Sequence, residues 1–110
     1  MKNAVIVSRY GMGNGSDELG AKLLAKYLSL DIEKDDRAQR YVFYNAGVKV
    51  ALLDEEVNRL LRELEQLGSA VYLCGTCLVE FGLSDKVTVG KTGCMGDVRA
   101  AMAMDRVDVL

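Results

Sequence analysis

Two cysteines stand where a short apolar run ends, and this arrangement most limits what the chain can fold into. Residues 70–74, Ala-Val-Tyr-Leu-Cys, have the composition of a buried strand. The glycine and threonine that follow predict a turn, and residues 77–83 are apolar enough for a short helix. Because sites in an open parallel sheet form where strands end and helices begin, we expect Cys74 and Cys77 to lie at such an edge.

A thiol at the beginning of a helix lies close to backbone N–H groups that have no partner within the helix. Such groups favour the thiolate and lower the pKa of the cysteine. On this argument the pKa of Cys77 is expected to be low, and the pair Cys74 and Cys77 is the predicted centre of any chemistry.

The segment Cys74-Gly75-Thr76-Cys77-Leu78, followed by Phe81-Gly82-Leu83, resembles the signature of the DsrE-like superfamily. Its selenium-metabolism branch, the YedF-type C-terminal domain, has the most similar pattern. Other stretches fit the same pattern and extend the resemblance over nearly the whole chain: Gly11-Met12-Gly13, Glu18-Leu19-Gly20, Phe43-Tyr44-Asn45-Ala46-Gly47-Val48-Lys49, and Val89-Gly90 with Met95.

This resemblance implies a three-layer α/β/α domain with a mostly parallel five-stranded sheet, and a sulfurtransferase-like role in handling sulfur or selenium. Cys74 and Cys77 would hold a persulfide or a selenium atom. The residues that would support the pair are Gly75 and Thr76 in the turn, and Asn45, Gly47 and Lys49 after the second strand. Related proteins often form trimers or hexamers, so a homo-oligomer and a separate sulfur-donor protein are the implied partners. No cofactor is implied.

The bulk composition agrees with one soluble domain. The chain has 110 residues and a net charge of −2, which gives no electrostatic argument for binding nucleic acid or an anionic membrane. No apolar run is long enough to span a membrane, and the first residues lead directly into a strand-like run without the features of a signal peptide. We therefore expect a cytoplasmic protein whose cysteines are reduced.

Two residue types are absent from the sequence. There is no histidine, which excludes Cys-His catalysis within one chain and any metal site that contains histidine. There is also no proline. The thioredoxin family is the first candidate for a C-x-x-C motif, but it places a cis-proline opposite that motif, and this chain cannot supply one.

Strand-like and helix-like segments alternate along the chain, which predicts a mostly parallel sheet covered on both faces. The helical stripe formed by Leu53, Val57, Leu60, Leu61, Leu64 and Leu67 is the clearest, with Asp54 as its N-cap and Gly68 after its end. The predicted strands are 3–8, 40–45, 70–74, 86–90 and 106–110, and the other predicted helices are 17–29, 77–83 and 95–104.

A glycine-rich loop, Gly11-x-Gly13-x-Gly15, precedes the first helix and raises the question of phosphate binding. The spacing does not match the dinucleotide or P-loop patterns, and Asp17 and Glu18 in the first helical turn would repel an anion. The favoured interpretation is a tight, closely packed turn that glycine permits.

Several interpretations of the three cysteines remain open. Cys74 and Cys77 could form a reversible disulfide in a non-enzymatic binding or assembly protein. A zinc site would need a fourth ligand besides Cys74, Cys77 and Cys94. Cys74 could also be a small buried apolar residue. Cys94 departs from the YedF-type pattern, so the resemblance assigns it no role.

Overall fold

The computed structural model describes residues 2–110, in which five short strands form one sheet. The strands are β1 (Lys2–Val7), β2 (Ala38–Phe43), β3 (Ala70–Cys74), β4 (Lys91–Gly93) and β5 (Val107–Val109). The helices are α1 (Asp17–Glu33), α2 (Gly47–Leu53), α3 (Glu55–Gln66), α4 (Gly75–Glu80) and α5 (Met95–Met102). The strand order is β4-β3-β2-β1-β5 and every pairing is parallel, so the predicted α/β fold is confirmed.

The two faces of the sheet are covered unequally. On one face β1, β2 and β3 pack against α1, α2 and α3 in a core that includes Tyr41, Phe43 and Leu73. On the other face α5 places Val98 and Ala101 against β1 and β2 in a much smaller cluster. The continuous apolar composition of the strands follows from this burial on both faces.

Helices α1 and α3 begin at side chains that cap them, and the cap of α3 is the predicted one, Asp54. The Oγ of Ser16 accepts a hydrogen bond from the Leu19 N–H at 3.1 Å, and the Asp54 carboxylate accepts one from the Val57 N–H at 3.1 Å. Gly68 has a φ of +105°, as expected of a glycine that follows a helix. The side chains of Ser16 and Asp54 thus bind N–H groups that have no partner within the helices.

The predicted stripe of leucines belongs only in part to one helix. Val57, Leu60, Leu61 and Leu64 are buried, whereas Leu53 and Leu67 are exposed. Asp54 has an extended backbone and separates α2 from α3, so Leu53 ends the shorter helix α2 and does not belong to α3.

The fourth strand is displaced from its predicted position. Residues 86–90 are irregular, and the pairing with β3 begins only at Lys91. Gly90 has a φ of +74° and its backbone lies against Val71, with its N–H bound to the Glu65 carboxylate at 3.0 Å. A residue with positive φ cannot continue a strand, so Gly90 ends the irregular segment and the strand follows it.

The glycine-rich loop is a closely packed turn. Gly11 has a φ of +94°, and the Met12 N–H donates to the Gly20 carbonyl of α1 at 3.0 Å. A side chain at Gly11 would overlap the backbone of Gly20, and one at Gly20 would overlap the carbonyl of Tyr10. The glycines therefore allow two stretches of backbone to touch, as the favoured interpretation predicts.

Candidate functional site

The carboxyl ends of β2, β3 and β4 meet at one edge of the sheet, and the predicted site residues lie there. Phe43 pairs with Leu73, and Cys74 pairs with Gly93. Asn45 therefore follows β2, and Cys94 follows β4, at the same edge at which Cys74 ends β3. Sites in open parallel sheets form at such an edge.

The three thiols differ in exposure, and no disulfide joins any two of them. Cys74 is buried, with 5% of its surface exposed. Cys77 is half-buried at the third position of α4, and Cys94 is exposed. A reagent or partner from solvent can therefore reach Cys77 and Cys94 more readily than Cys74.

The Cys77 thiol receives a hydrogen bond from the main chain of a neighbouring loop. The Asn45 N–H donates to Cys77 Sγ at 3.0 Å. Asn45 has a φ of +52°, a left-handed conformation that asparagine tolerates better than most residues. The sulfur is thus held by a backbone donor, and the side chains of Cys74 and Cys77 are close enough to interact.

The pKa of Cys77 is raised from its ordinary value, and the expectation of a low pKa is wrong. Burial has the largest effect and raises the pKa because it disfavours the charged thiolate. The hydrogen bond from the Asn45 N–H lowers it, and the neighbouring Cys74 raises it again. Burial and the second thiol therefore outweigh the single N–H donor at this short helix.

The raised pKa of Cys77 predicts how the reactivity of this thiol depends on pH. In a Cys94→Ser background, the rate of alkylation of Cys77 by iodoacetamide should keep increasing at pH values where the same cysteine in urea has already reached its plateau. The reason is that only the thiolate reacts, and a raised pKa delays its formation. Mass spectrometry of the Cys77 peptide gives the rate. The prediction would be contradicted if the alkylation rate of the folded protein reached half of its plateau at a lower pH than that of the unfolded protein.

Lys49 lies near the edge but contacts an aromatic ring. Its Nζ is 4.9 Å from the centroid of the Phe81 ring, which is a cation–π geometry. The groups that shift the pKa of Cys77 are Asn45 and Cys74, and Lys49 is not among them. The structure therefore brings Cys74, Cys77 and the Asn45 N–H together, and places the Lys49 charge against Phe81.

The other predicted supporting residues shape the backbone. Gly47 begins α2 against the Val7 carbonyl, and Gly75 begins α4, where a side chain would press on the methyl group of Thr92. Thr76 is exposed at the second position of α4. These two glycines let the helices start close to the sheet edge.

The zinc interpretation lacks a geometric basis. Within residues 2–110, no three or more cysteine, aspartate or glutamate side chains lie close enough together to hold a metal ion. The Asp97 carboxylate accepts a hydrogen bond from the Cys94 N–H at 2.8 Å. Cys94 is therefore the N-cap of α5.

A groove in the surface lies away from the cysteines. It has a volume of about 710 Å³, runs between α1 and α3, and contains Lys22, Lys26 and Glu56 in its lining, with none of the cysteines. In the part of the chain that the structure describes, no helix combines the length and the apolar character that a membrane crossing requires.

Comparisons with known proteins support this architecture. The sequence pattern of the DsrE/DsrF-like family matches residues 1–107. The ychN protein from E. coli has a similar crystal structure, with a TM-score of 0.71 at 22% sequence identity, and the match covers 100% of both chains. A conserved protein of unknown function from Bacteroides thetaiotaomicron, BT1422, has a TM-score of 0.66 at 16% identity over 98% of this chain and 95% of that one.

No curated protein sequence matches the chain. The two structural likenesses, at 22% and 16% identity, establish the fold. The family pattern covers nearly every residue, including the Cys74–Cys77 segment and the Asn45 loop that holds it. The chain therefore belongs to the DsrE/DsrF-like family.

Proposed function

We propose that this protein carries sulfane sulfur, or selenium in its place, on Cys77 with Cys74 as the assisting thiol. The observation that supports this most directly is the Cys77 sulfur, half-buried and bound by the Asn45 N–H beside a second thiol. The family is associated with sulfur relay, which agrees with a carrier role. Donor and acceptor would be separate proteins or small thiols.

Charging would proceed by transfer of one sulfur atom. The Cys77 thiolate attacks the terminal sulfur of a donor persulfide, R–S–SH, and forms a new S–S bond while the bond in the donor breaks. The donor leaves as its thiolate, R–S⁻, and Cys77 becomes Cys77–S–SH. No net oxidation occurs, because the sulfane atom only changes its partner.

The terminal sulfur can leave Cys77 by two routes, and only the second of them uses Cys74. An acceptor thiolate can attack the terminal sulfur and take it, which regenerates Cys77 as a thiolate. Alternatively, the Cys74 thiolate attacks Cys77 Sγ, forms a Cys74–Cys77 disulfide and releases HS⁻, and a thiol reductant must then restore the pair. Cys74 is buried and Cys77 is half-buried, which favours the first route because an acceptor from solvent can reach the sulfur on Cys77 directly.

The Asn45 N–H has a physical role in this scheme. A backbone donor at 3.0 Å stabilises negative charge on Cys77 Sγ, which develops both in the thiolate that attacks and in the thiolate that leaves. The donor is a main-chain group that is already at hydrogen-bond distance before the transfer begins.

The test is the intact mass of the protein after incubation with a persulfide donor, R–S–SH, and separately with a selenopersulfide donor, R–S–SeH, whose terminal selenium is transferred while the donor leaves as its thiolate. Wild type, Cys74→Ser, Cys77→Ser and Cys94→Ser should be prepared without reductant. We expect the wild type and Cys94→Ser to gain one sulfur atom, and Cys77→Ser to gain none. Cys94 is the matched control because it is the most exposed of the three thiols.

The outcomes separate the proposals. A gain that survives in Cys77→Ser and disappears in Cys74→Ser would transfer the carrier role to Cys74. A wild type that gains no atom from either reagent would reject carriage. A selenium adduct without a sulfur adduct would restrict the cargo to selenium.

A second candidate function is a redox-sensitive binding or assembly protein, favoured by the proximity of Cys74 and Cys77. Under this alternative, oxidation would remove two hydrogen atoms, form a disulfide, and change the oligomeric state. Analytical ultracentrifugation of wild type and Cys74→Ser, oxidised and reduced, distinguishes the two. Carriage predicts that the oligomeric state is the same in all four samples.

A further inference from the structure

A surface on the open face of the sheet joins two cations to one tyrosine, and we call Arg40, Tyr72 and Lys91 the cationic–aromatic surface. They come from the three adjacent strands β2, β3 and β4. The Arg40 guanidinium carbon is 5.7 Å from the centroid of the Tyr72 ring, and Lys91 Nζ is 5.4 Å from it. Both distances lie within the range of cation–π contacts.

No carboxylate neutralises these two cations. Among residues 2–110, neither Arg40 nor Lys91 has an acidic group within 4 Å, and Lys2, Arg37, Arg59 and Arg106 are the four basic residues that do. Asp97 lies close to Gly93 on the same side of the sheet, but its carboxylate binds the Cys94 N–H. In a chain with more acidic than basic residues, two cations that contact the same tyrosine ring form a small basic surface.

The same region lacks a covering helix. The single helix on this face, α5, packs its buried residues Val98 and Ala101 against Ala4, Ile6 and Val42 of β1 and β2. Tyr72 is only partly buried at the margin of that cluster, and Lys91 is exposed. On this face β3 therefore leaves Tyr72 partly exposed, and the edge strand β4 leaves Lys91 exposed.

We infer that the cationic–aromatic surface binds an acidic segment of a partner protein. Carboxylates of the partner would pair with Arg40 and Lys91, and an apolar side chain would pack on Tyr72. Arginine and tyrosine are the residue types that contribute most to binding at protein interfaces. A nucleic acid is a poorer fit, because two cations on an acidic chain neutralise too few phosphates.

The position of this surface relates it to the thiols. Tyr72 and Lys91 are paired across β3 and β4, and Cys74 and Gly93 are paired two residues further along the same strands. A protein bound at the cationic–aromatic surface would therefore lie beside the carboxyl edge of the sheet. The inference itself does not depend on whether Cys77 carries sulfur, and its test involves no thiol chemistry.

The experiment is a titration of ¹⁵N-labelled protein with a hexaglutamate peptide, followed by NMR. We expect saturable shifts of the backbone amides in residues 70–74 and 91–93. The affinity of the Arg40→Gln/Lys91→Gln variant for the peptide should be about tenfold lower than that of the wild type. Raising the ionic strength from about 0.05 M to about 0.5 M should weaken wild-type binding, because salt screens exposed charges.

Lys22→Gln/Lys26→Gln is the matched control, since it removes the same charge from exposed residues of α1 on the opposite face. It should bind hexaglutamate as the wild type does. The inference would be overturned if both double variants lost the same affinity for hexaglutamate. It would also be overturned if the peptide shifted only backbone amides outside residues 70–74 and 91–93. A fifteen-residue oligothymidylate that binds more tightly than hexaglutamate would overturn it in favour of nucleic acid.

A second copy of the chain is the remaining alternative occupant. Sedimentation of wild type and Arg40→Gln/Lys91→Gln tests this directly. If the wild type self-associates, the variant is monomeric, and hexaglutamate does not shift the wild-type equilibrium, the surface is an interface between copies and the inference fails. An unchanged sedimentation coefficient in the variant supports an external acidic partner.

Discussion

Replacing Asp31 with alanine should lower the free energy of unfolding by about 3 kcal/mol, the lower end of the cost of removing one partner of a buried ion pair. The side chains of Lys2 and Asp31 are almost fully buried and form an ion pair between β1 and α1. The hydroxyl of Tyr41 also donates to Asp31 Oδ2 at 2.7 Å. The alanine variant leaves a buried ammonium and a buried hydroxyl without this acceptor.

Neighbouring groups keep the cost from being larger. Asp36 and Asp108 lie 3.8 Å and 4.0 Å from Lys2 Nζ and remain in the variant. Burial and the hydrogen bond to Asp108 raise the pKa of Tyr27, and burial and Asp31 raise the pKa of Tyr41, so both hydroxyls stay protonated donors. The remaining carboxylates can therefore share the Lys2 charge, but they are far more exposed than Asp31 is.

Urea unfolding at pH 7 measures the effect. Glu33→Ala is the matched control, because it removes the same charge two residues along the same helix from an exposed position, and it should change stability by no more than about 0.5 kcal/mol. A Lys2→Met/Asp31→Leu double variant should recover most of the loss, since two apolar residues replace both charges. An Asp31→Ala variant as stable as Glu33→Ala would show that the ion pair contributes nothing net.

This ion pair also shows where the sequence stops being informative. The first helix is predicted to end at Ser29, before the most polar segment, yet α1 continues to Glu33 and Asp31 is buried in its last turn. Its partner, Lys2, is 29 residues away in sequence. Composition within a window cannot reveal that two charges distant in the chain will meet in the core.

The strands and the amphipathic helices were predictable because each repeats a local pattern. Residues 70–74 form a strand as predicted, and the buried face of α3 has the expected helical spacing. The position of β4 was not predictable in this way. Apolar residues favour a strand at 86–90, but Gly90 adopts positive φ against Val71, and that contact exists only after folding.

The candidate site was predictable in its residues but not in its electrostatics. The strand-turn-helix pattern places Cys74 and Cys77 at the sheet edge, and the Asn45 loop reaches Cys77 from a strand 32 residues earlier. The pKa of Cys77 depends on how deeply the thiol is buried, and neither residue type nor spacing specifies that depth. The contact of Lys49 with Phe81 likewise depends on side-chain packing between α2 and α4.

Gly11→Ala should destabilise the protein by about 3 kcal/mol, and Gly13→Ala, in the same loop, by about 1 kcal/mol. Both glycines have positive φ, +94° and +81°, so alanine at either position carries the strain of a left-handed backbone. Around Gly13 nothing lies within 4 Å of an added methyl group. At Gly11 the methyl group would overlap the Gly20 carbonyl, and backbone of a long helix cannot move aside as a flexible side chain can.

Thermal and urea unfolding of the two variants isolate this contact, because the backbone strain is common to both and cancels in their difference. The remaining difference measures the separation of the loop from α1, including the hydrogen bond from the Met12 N–H to the Gly20 carbonyl. Similar losses in both variants would show that the loop can shift from α1 at little cost. A much larger loss at Gly11 would establish that close packing, which needs no ligand, explains the glycine at that position.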